Sequence, residues 1–398
     1  MAIEKPLNPM PSGEESEEVQ IEVVNPEAVS VTTEDSAMLI DFTGEMADEV
    51  MGPDHDANLA EFIDEADLQS LASELIDDFN SDRESRRDWA RSYVKGLDLL
   101  GMKIEERTQP WQGASGVFHP ILTEATVRFQ AQAMGEIFPA SGPVRTKIMG
   151  KKDQDKLKQA TRIEDEMNYL LTEEMTEYRD ETEQMLFRLP LAGSSFKKVY
   201  YDPLMERPCA MFVPAEDFVV SYGASDLMTC PRYTHVMKKT QNEIRELQVN
   251  EFYIDVDLPE PQPDYSDIQE KYDEIEGETA VIEDDDRHTL LEMHVDMIMP
   301  EPFDDPDGIA RPYIITIDKS SETILSIRRN WYEGDAKKKK RQHFVHYRYL
   351  PGLGFYGTGL IHLIGGLAKS ATSILRQLID AGTLSNLPAG LKARGLRI

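Results

Sequence analysis

Cysteine is nearly absent. Of 398 residues only Cys209 and Cys230 carry thiols, too few for a disulfide framework or a four-cysteine zinc site, and in keeping with a reducing compartment. Long apolar runs are missing too. The longest stretch without a charge, Tyr349–Ala368, holds six glycines, a proline, a threonine and a histidine, whereas a membrane helix needs about 20 mostly apolar residues. No membrane span is expected. The opening Met1-Ala2-Ile3-Glu4-Lys5-Pro6 has neither an apolar core nor a cleavage site, so no signal peptide is expected. Basic residues are the minority, 42 against 74 acidic, for a net charge of −32. With 40% apolar residues and a mean hydropathy of −0.46, the chain can bury a core for two or three domains of about 150 residues.

The negative charge is unevenly spread. Residues 1–80 carry 22 acids and one base, Lys5, and residues 251–310 carry 21 acids and two bases. Residues 311–398 reverse the sign with 15 bases and five acids. A global figure therefore does not settle whether the partner is a polyanion.

Residues 1–57 combine prolines, serines and runs such as Glu14-Glu15-Ser16-Glu17-Glu18 with isolated apolar groups. They read as a disordered acidic tail, because so little burial cannot offset the ordering entropy. Residues 58–194 read as mainly helical. Leu59, Phe62, Leu68, Leu71, Leu75 and Phe79 suggest a short helix or two, and Ser81-Asp82-Arg83-Glu84 has the form of a capping box opening a helix to about Leu100. A second helix is expected from Pro120 to Phe138, and residues 152–189 are strongly helical until Pro190-Leu191-Ala192-Gly193. From 195 to 350 the period changes to two and strands are expected, interrupted by a short helix at Thr240–Asn250 and by an acidic insertion at 255–286. The insertion reads as a mobile loop with at most a short helix near Ile268–Ile275. Residues 291–297 alternate as a half-buried strand with His294 facing out. Residues 351–398 comprise a glycine-rich stretch and a final helix from Leu360 to about Ala381, with Gly382 as its C-cap. Helices first, strands later and a closing helix make the fold class α+β.

Few residues suggest chemistry. Gly352-Leu353-Gly354-Phe355-Tyr356-Gly357-Thr358-Gly359 contains G-x-G-x-x-G between a strand and a helix, the setting of a dinucleotide fingerprint. Against a nucleotide-binding enzyme stand the bulky Phe355 and Tyr356, and the lack of chain afterwards for a parallel sheet. The other reading is a structural hinge made by Gly352, Gly354, Gly357 and Gly359. Asp284, Asp285 and Asp286 with His288 and His294 form a weak metal candidate, more simply a solvated acidic loop. His119 and His362 read as structural, and Cys209 and Cys230 as buried small hydrophobes. No nucleophile elbow or other catalytic constellation is present, so neither catalytic residues, nor a metal, nor a cofactor is assigned. Lys337, Lys338, Lys339, Lys340 and Arg341 form the densest basic run. It reads as a solvated hairpin tip, or else as a sequence-independent phosphate contact. The last helix sets Leu360, Ile364, Leu367, Ala371, Ile374 and Leu378 on one stripe as its packing face.

Several motifs in order resemble the portal proteins, or head-to-tail connectors, of tailed bacteriophages, in particular the large-subunit group typical of short-tailed phages. They are Pro110-Trp111-Gln112-Gly113-Ala114-Ser115-Gly116, His119-Pro120-Ile121-Leu122-Thr123-Glu124-Ala125 and Phe138-Pro139-Ala140-Ser141-Gly142-Pro143-Val144. Arg329-Asn330-Trp331 and Phe344-Val345-His346-Tyr347 follow. The strongest is Pro351-Gly352-Leu353-Gly354-Phe355-Tyr356-Gly357-Thr358-Gly359-Leu360-Ile361-His362, continued by Arg376-Gln377-Leu378-Ile379-Asp380-Ala381-Gly382.

The resemblance implies a portal-type fold: a helical part of a wing (58–194), a β-rich wing (195–350), and a glycine hinge leading into a stem-type helix at the start of an incomplete clip region (351–398). It implies a structural, non-enzymatic subunit of a homo-oligomeric ring, typically a dodecamer, at the portal vertex of the virion capsid. Double-stranded DNA passes through such a ring in packaging and ejection. The implied partners are further copies of the chain, non-specific DNA, the terminase large subunit, a tail adaptor, and capsid and scaffold proteins, with assembly in the host bacterial cytoplasm and no membrane. An acidic head-morphogenesis protein is the remaining alternative. Large portals continue well past the equivalent of Ile398, so the chain reads as truncated at its C-terminus.

Overall fold

The computed structural model describes residues 30–34, 37–41 and 53–386, except 103–106, 203–204, 263, 265, 279–286, 304 and 306. The chain divides into two compact units, Met1–Leu59 and Ala60–Ile398. In the first, β1 (Ser30–Glu34) pairs antiparallel with β2 (Ala37–Asp41) in the register Thr32↔Leu39, where no element is expected from the sequence. Most of the remaining acidic tail lies outside the described residues.

The second unit is α+β, with helices and antiparallel sheets. Helix α1 (Glu65–Ser85) runs straight through the capping-box pattern at Ser81. The reason is tertiary: Leu71, Leu75, Ile76, Phe79 and Asp82 form one buried face across the supposed boundary. The chain breaks instead at Arg86, before α2 (Arg87–Leu97). Next come α3 (Ile121–Ile137), α4 (Gln154–Tyr169) and α5 (Glu177–Ala192), with a single π turn at Leu170–Glu174 before α5. Pro190 sits inside the last turn of α5 rather than ending it, and Gly193 caps that helix with φ +86°.

Two sheets follow. Strands β3 (Ser194–Asp202), β4 (Arg207–Pro214) and β10 (Phe344–Arg348) form a three-stranded sheet in the order β10-β3-β4. Strands β5 (Phe218–Val220), β6 (Arg232–Thr240), β7 (Arg287–Met297), β8 (Arg311–Asp318) and β9 (Thr323–Arg329) form a five-stranded meander in chain order. Aromatic side chains fill the seam between the sheets: Phe196 stacks on Phe218 at 4.0 Å, and Phe218 lies 4.9 Å from Phe344 and 5.5 Å from Tyr233. The other face of the five-stranded sheet is covered by Ile244 of α6 (Gln241–Val249) and by Tyr253, which cluster with Leu290 of β7 and Leu325 of β9. Strand β7 is therefore central and covered on both faces. The expected half-buried alternation fails there, and His294 is buried rather than outward.

The acidic insertion contains α7 (Asp267–Glu276). That helix is anchored: Ile268 enters the main core, the Tyr272 hydroxyl donates to Glu216 Oε1 at 2.7 Å, and Lys271 pairs with Asp98. The long α8 (Leu360–Asn386) continues through Gly382, which is interior to the helix rather than its cap. Gly96 lets α2 and α8 cross closely, since a Cβ there would lie 2.2 Å from Ile361 Cγ2.

Candidate functional site

The junction between sheet and long helix is built by backbone contact. At its root, a Cβ on Gly357 would lie 2.2 Å from the Gly193 carbonyl oxygen and 2.8 Å from that of Leu350. One on Gly359 would lie 2.1 Å from the Leu191 carbonyl oxygen, and one on Gly352 would lie 2.2 Å from that of Tyr356. Of these four glycines, Gly354 alone has open space within 4 Å. The Gly357 N–H donates to Ser194 Oγ at 2.7 Å, Thr358 N–H donates to the Leu350 carbonyl, and Tyr349 N–H to that of Gly193. The glycines thus seat the chain against the end of α5 and the start of β3. Space that a pyrophosphate would need beside Gly357 and Gly359 holds the backbone of residues 191–193. Phe355 is buried against Phe196 and His346, and the Tyr356 hydroxyl donates to the Phe218 carbonyl at 3.0 Å.

Arg86 is a residue that sequence reading missed. From the break between α1 and α2 its guanidinium donates to the carbonyls of Ala215 (2.6 Å), Phe218 (2.9 Å) and Glu216, and to the Tyr356 hydroxyl (3.1 Å). It lies over the rings of Trp89 and Tyr356. One cation therefore joins the helical part, the β4–β5 turn and the glycine segment. Nothing in the sequence sets it apart from Arg83, Arg87 and Arg91 in the same charged stretch.

Helix α8 departs from its expected packing stripe. Leu360 is buried and Ile364 and Ala371 are half-buried, but Leu367, Ile374 and Leu378 are 67%, 65% and 69% exposed. The buried line is Leu360, Ile361, Gly365, Ala368, Thr372 and Asp380. Helical periodicity finds a face, but it cannot say which of two flanking apolar faces meets the body. Here small and polar groups win the inner place because α2 and the 107–119 segment approach closely: His119 N–H donates to Thr372 Oγ1 and Ser115 N–H to Asp380 Oδ1.

The basic run lies in the connection from β9 to β10, which belong to different sheets, so it is not a hairpin tip. Lys340 is turned inward, pairing with Asp296 at 2.8 Å and donating to the Cys230 carbonyl at 2.8 Å. Lys338 reaches Asp305 at 3.4 Å, beside Arg311, whose guanidinium holds the Asp305 carboxyl at about 2. Arg341 lies over the ring of Tyr332. The side chains of Lys337 and Lys339 are exposed, while their backbone N–H groups donate to the Asp335 carboxylate.

The seam between the sheets holds a cluster of buried titratable groups. His294 Nε2 is 3.1 Å from Glu292 Oε1, Lys198 pairs with Glu292, and His343 Nε2 is 3.2 Å from Asn330 Oδ1. Burial pushes His235 down to about 3, and His343 and His346 down to about 4. Burial would raise the Glu292 carboxyl, but Lys198 and His294 hold it well below its usual range. His288 is also buried, between Asp318 and Gln241, while 284–286 lie outside the described residues. Among the described residues no group of three or more His, Cys, Asp or Glu could hold a metal, and no helix is long and apolar enough to cross a membrane.

A family profile described as Phage SU10 portal protein matches residues 143–393, from just after α3 to beyond α8. The chain belongs to that family. No curated protein matches it.

Proposed function

We propose that the chain is the subunit of a homo-oligomeric ring, a dodecamer by its resemblance, at one vertex of the capsid. Double-stranded DNA is packaged and ejected through this ring, which offers docking surfaces to the terminase large subunit, a tail adaptor, and capsid and scaffold proteins. The role is structural, without catalytic residues or a cofactor, in a virion part assembled in the bacterial cytoplasm. The helical residues 58–194 and β-rich residues 195–350 serve as the wing, and 351–398 as glycine joint and stem-type helix.

The observation that carries this reading beyond the family is the two-sided helix α8. Its inner face is buried on the body, while Leu363, Leu367, Ile374 and Leu378 leave a second apolar stripe in solvent. Such a stripe on a long helix marks an interface, and in a ring each subunit meets its neighbours through two different faces. The net charge of −32 suits a conduit that must not grip its cargo. Negative-stain images of the full chain should show rings with a central hole. Leu367→Asp combined with Ile374→Asp should abolish them while circular dichroism and melting temperature of the subunit stay unchanged. Monomers throughout, in the unaltered protein, would refute ring formation by this chain.

A further inference from the structure

A groove of about 650 Å³ runs between the second half of α8 and the 107–118 segment. We propose that this groove docks an acidic peptide segment of a partner protein, one that carries an aromatic or large aliphatic anchor. This reading concerns a surface separate from the outer stripe of α8 and does not depend on ring formation.

The walls are held in place by the chain's own bonds. Ser115 N–H donates to Asp380 Oδ1 at 2.8 Å, and Arg376 Nε donates to the Val117 carbonyl at 2.8 Å while its guanidinium lies 4.3 Å over the Phe118 ring. Arg107 donates to the Ser115 carbonyl at 3.3 Å. A groove fixed in this way loses little freedom when it is filled.

Among the described residues its lining carries an excess of cations: Arg107, Lys369 and Arg376 stand beside the single carboxylate of Asp380, one oxygen of which already accepts the Ser115 N–H. In a chain of net charge −32, a local excess of cations selects an acidic segment and leaves basic ones unbound. Trp111 and Phe118, both half-buried, add an apolar floor. Tryptophan and arginine together are the residue types that most often dominate binding energy at protein interfaces.

The length favours a peptide over a small molecule. From Lys369 to Leu384 the helix rises about 22 Å at 1.5 Å per residue, the reach of about seven residues of extended chain. A small ligand would leave most of such an open trough wet, whereas a strand-like segment covers it and can alternate carboxylates towards the cations with apolar groups towards Trp111.

The test uses the full chain and a dye-labelled heptapeptide in which glutamates alternate with leucines and a central tryptophan. Binding is followed by fluorescence anisotropy at low salt. The expected result is saturable binding that weakens with salt, and none by the same peptide with lysines for glutamates. Lys369→Glu, at an exposed position, should weaken binding at least about fivefold, and Trp111→Ala about tenfold or more. Melting curves of both variants check that the fold is kept, and Lys369→Glu alone suffices should Trp111→Ala fail to fold. The proposal is overturned by absence of saturable binding, by equal binding to wild type and Lys369→Glu, or by a short DNA duplex that displaces the peptide, which would make the groove a nucleic-acid site.

Discussion

Gly357 and Gly354 stand three residues apart in one motif and do different work. At Gly357 an added methyl group meets two backbone oxygens, at 2.2 and 2.8 Å, one of Gly193 between α5 and β3 and one of Leu350 just after β10, and neither can move without shifting those elements. Gly357→Ala is therefore expected to cost about 1–3 kcal/mol or more, as overpacking does. Gly354→Ala, with nothing within 4 Å, should stay within about 0.5 kcal/mol of wild type. Urea midpoints at unchanged slope separate the two. The buried histidines make a second prediction at this scale. His235, His343 and His346 stay neutral in the fold down to about 3, 4 and 4, whereas unfolded they take up protons near 6.5. Below that pH the unfolded state binds more protons, so stability falls as pH drops from about 6.5 towards 4, by up to about 1.4 kcal/mol per pH unit for each group. Asp217 opposes them. Burial raises its carboxyl to about 7, so its contribution is present at low pH and lost as pH rises from its unfolded range to 7. Three imidazoles outweigh one carboxyl, and the melting temperature should decline below pH 6.5. Replacing His235, whose Nδ1 has no partner, by Phe should flatten that decline by one proton, and an unchanged slope would contradict the assignment.

Among the elements, the glycine segment, the α1–α2 break and the β4–β5 turn share one fastener in Arg86. Arg86→Ala removes the donor to three backbone carbonyls and leaves a space between Trp89 and Tyr356. Hydrogen bonds to a charged group contribute about 1.5–3 kcal/mol, so a loss of about 3 kcal/mol is expected. Arg86→Lys should recover little of it, because a single ammonium cannot span the same fork of acceptors. Equilibrium unfolding of both variants tests this, and near-wild-type stability for Arg86→Lys would show that charge alone suffices. The capping pattern at Ser81 misleads for a tertiary reason: a serine followed by glutamate is common in a charged helix, and only the buried line through Phe79 and Asp82 decides that the helix continues.

For the molecule as a whole, the basic run divides by direction. Lys340 is committed to Asp296 and the Cys230 carbonyl, so Lys340→Gln should lower the melting temperature, as breaking a buried pair does. Lys337→Gln with Lys339→Gln touches only exposed side chains and should leave stability unchanged. If the run meets DNA, these two lysines are the ones to do so, and the double variant would reduce low-salt duplex binding and packaging together. Unchanged packaging by the double variant would place the loop off the DNA path.

The sequence alone determined the class and the order of events. Periods of three to four before residue 194 and of two after it specified α+β, because burial of one face is a local pattern. The chained motifs from Pro110 to Gly382 pointed to the portal family for the same reason, being local words in a fixed order. Scarce cysteine and broken apolar runs were equally legible. What only the tertiary structure decided was which face of each element is inside. Strand β7 is covered on both sides because it is central, the expected stripe of α8 is half in solvent because Gly96 and Thr372 draw a neighbouring face inward, and Lys340 turns in where Lys337 turns out. Arg86 acquires its role only when residues more than a hundred positions away fold onto it. Such contacts join distant parts of the chain, and no window of neighbouring residues records them.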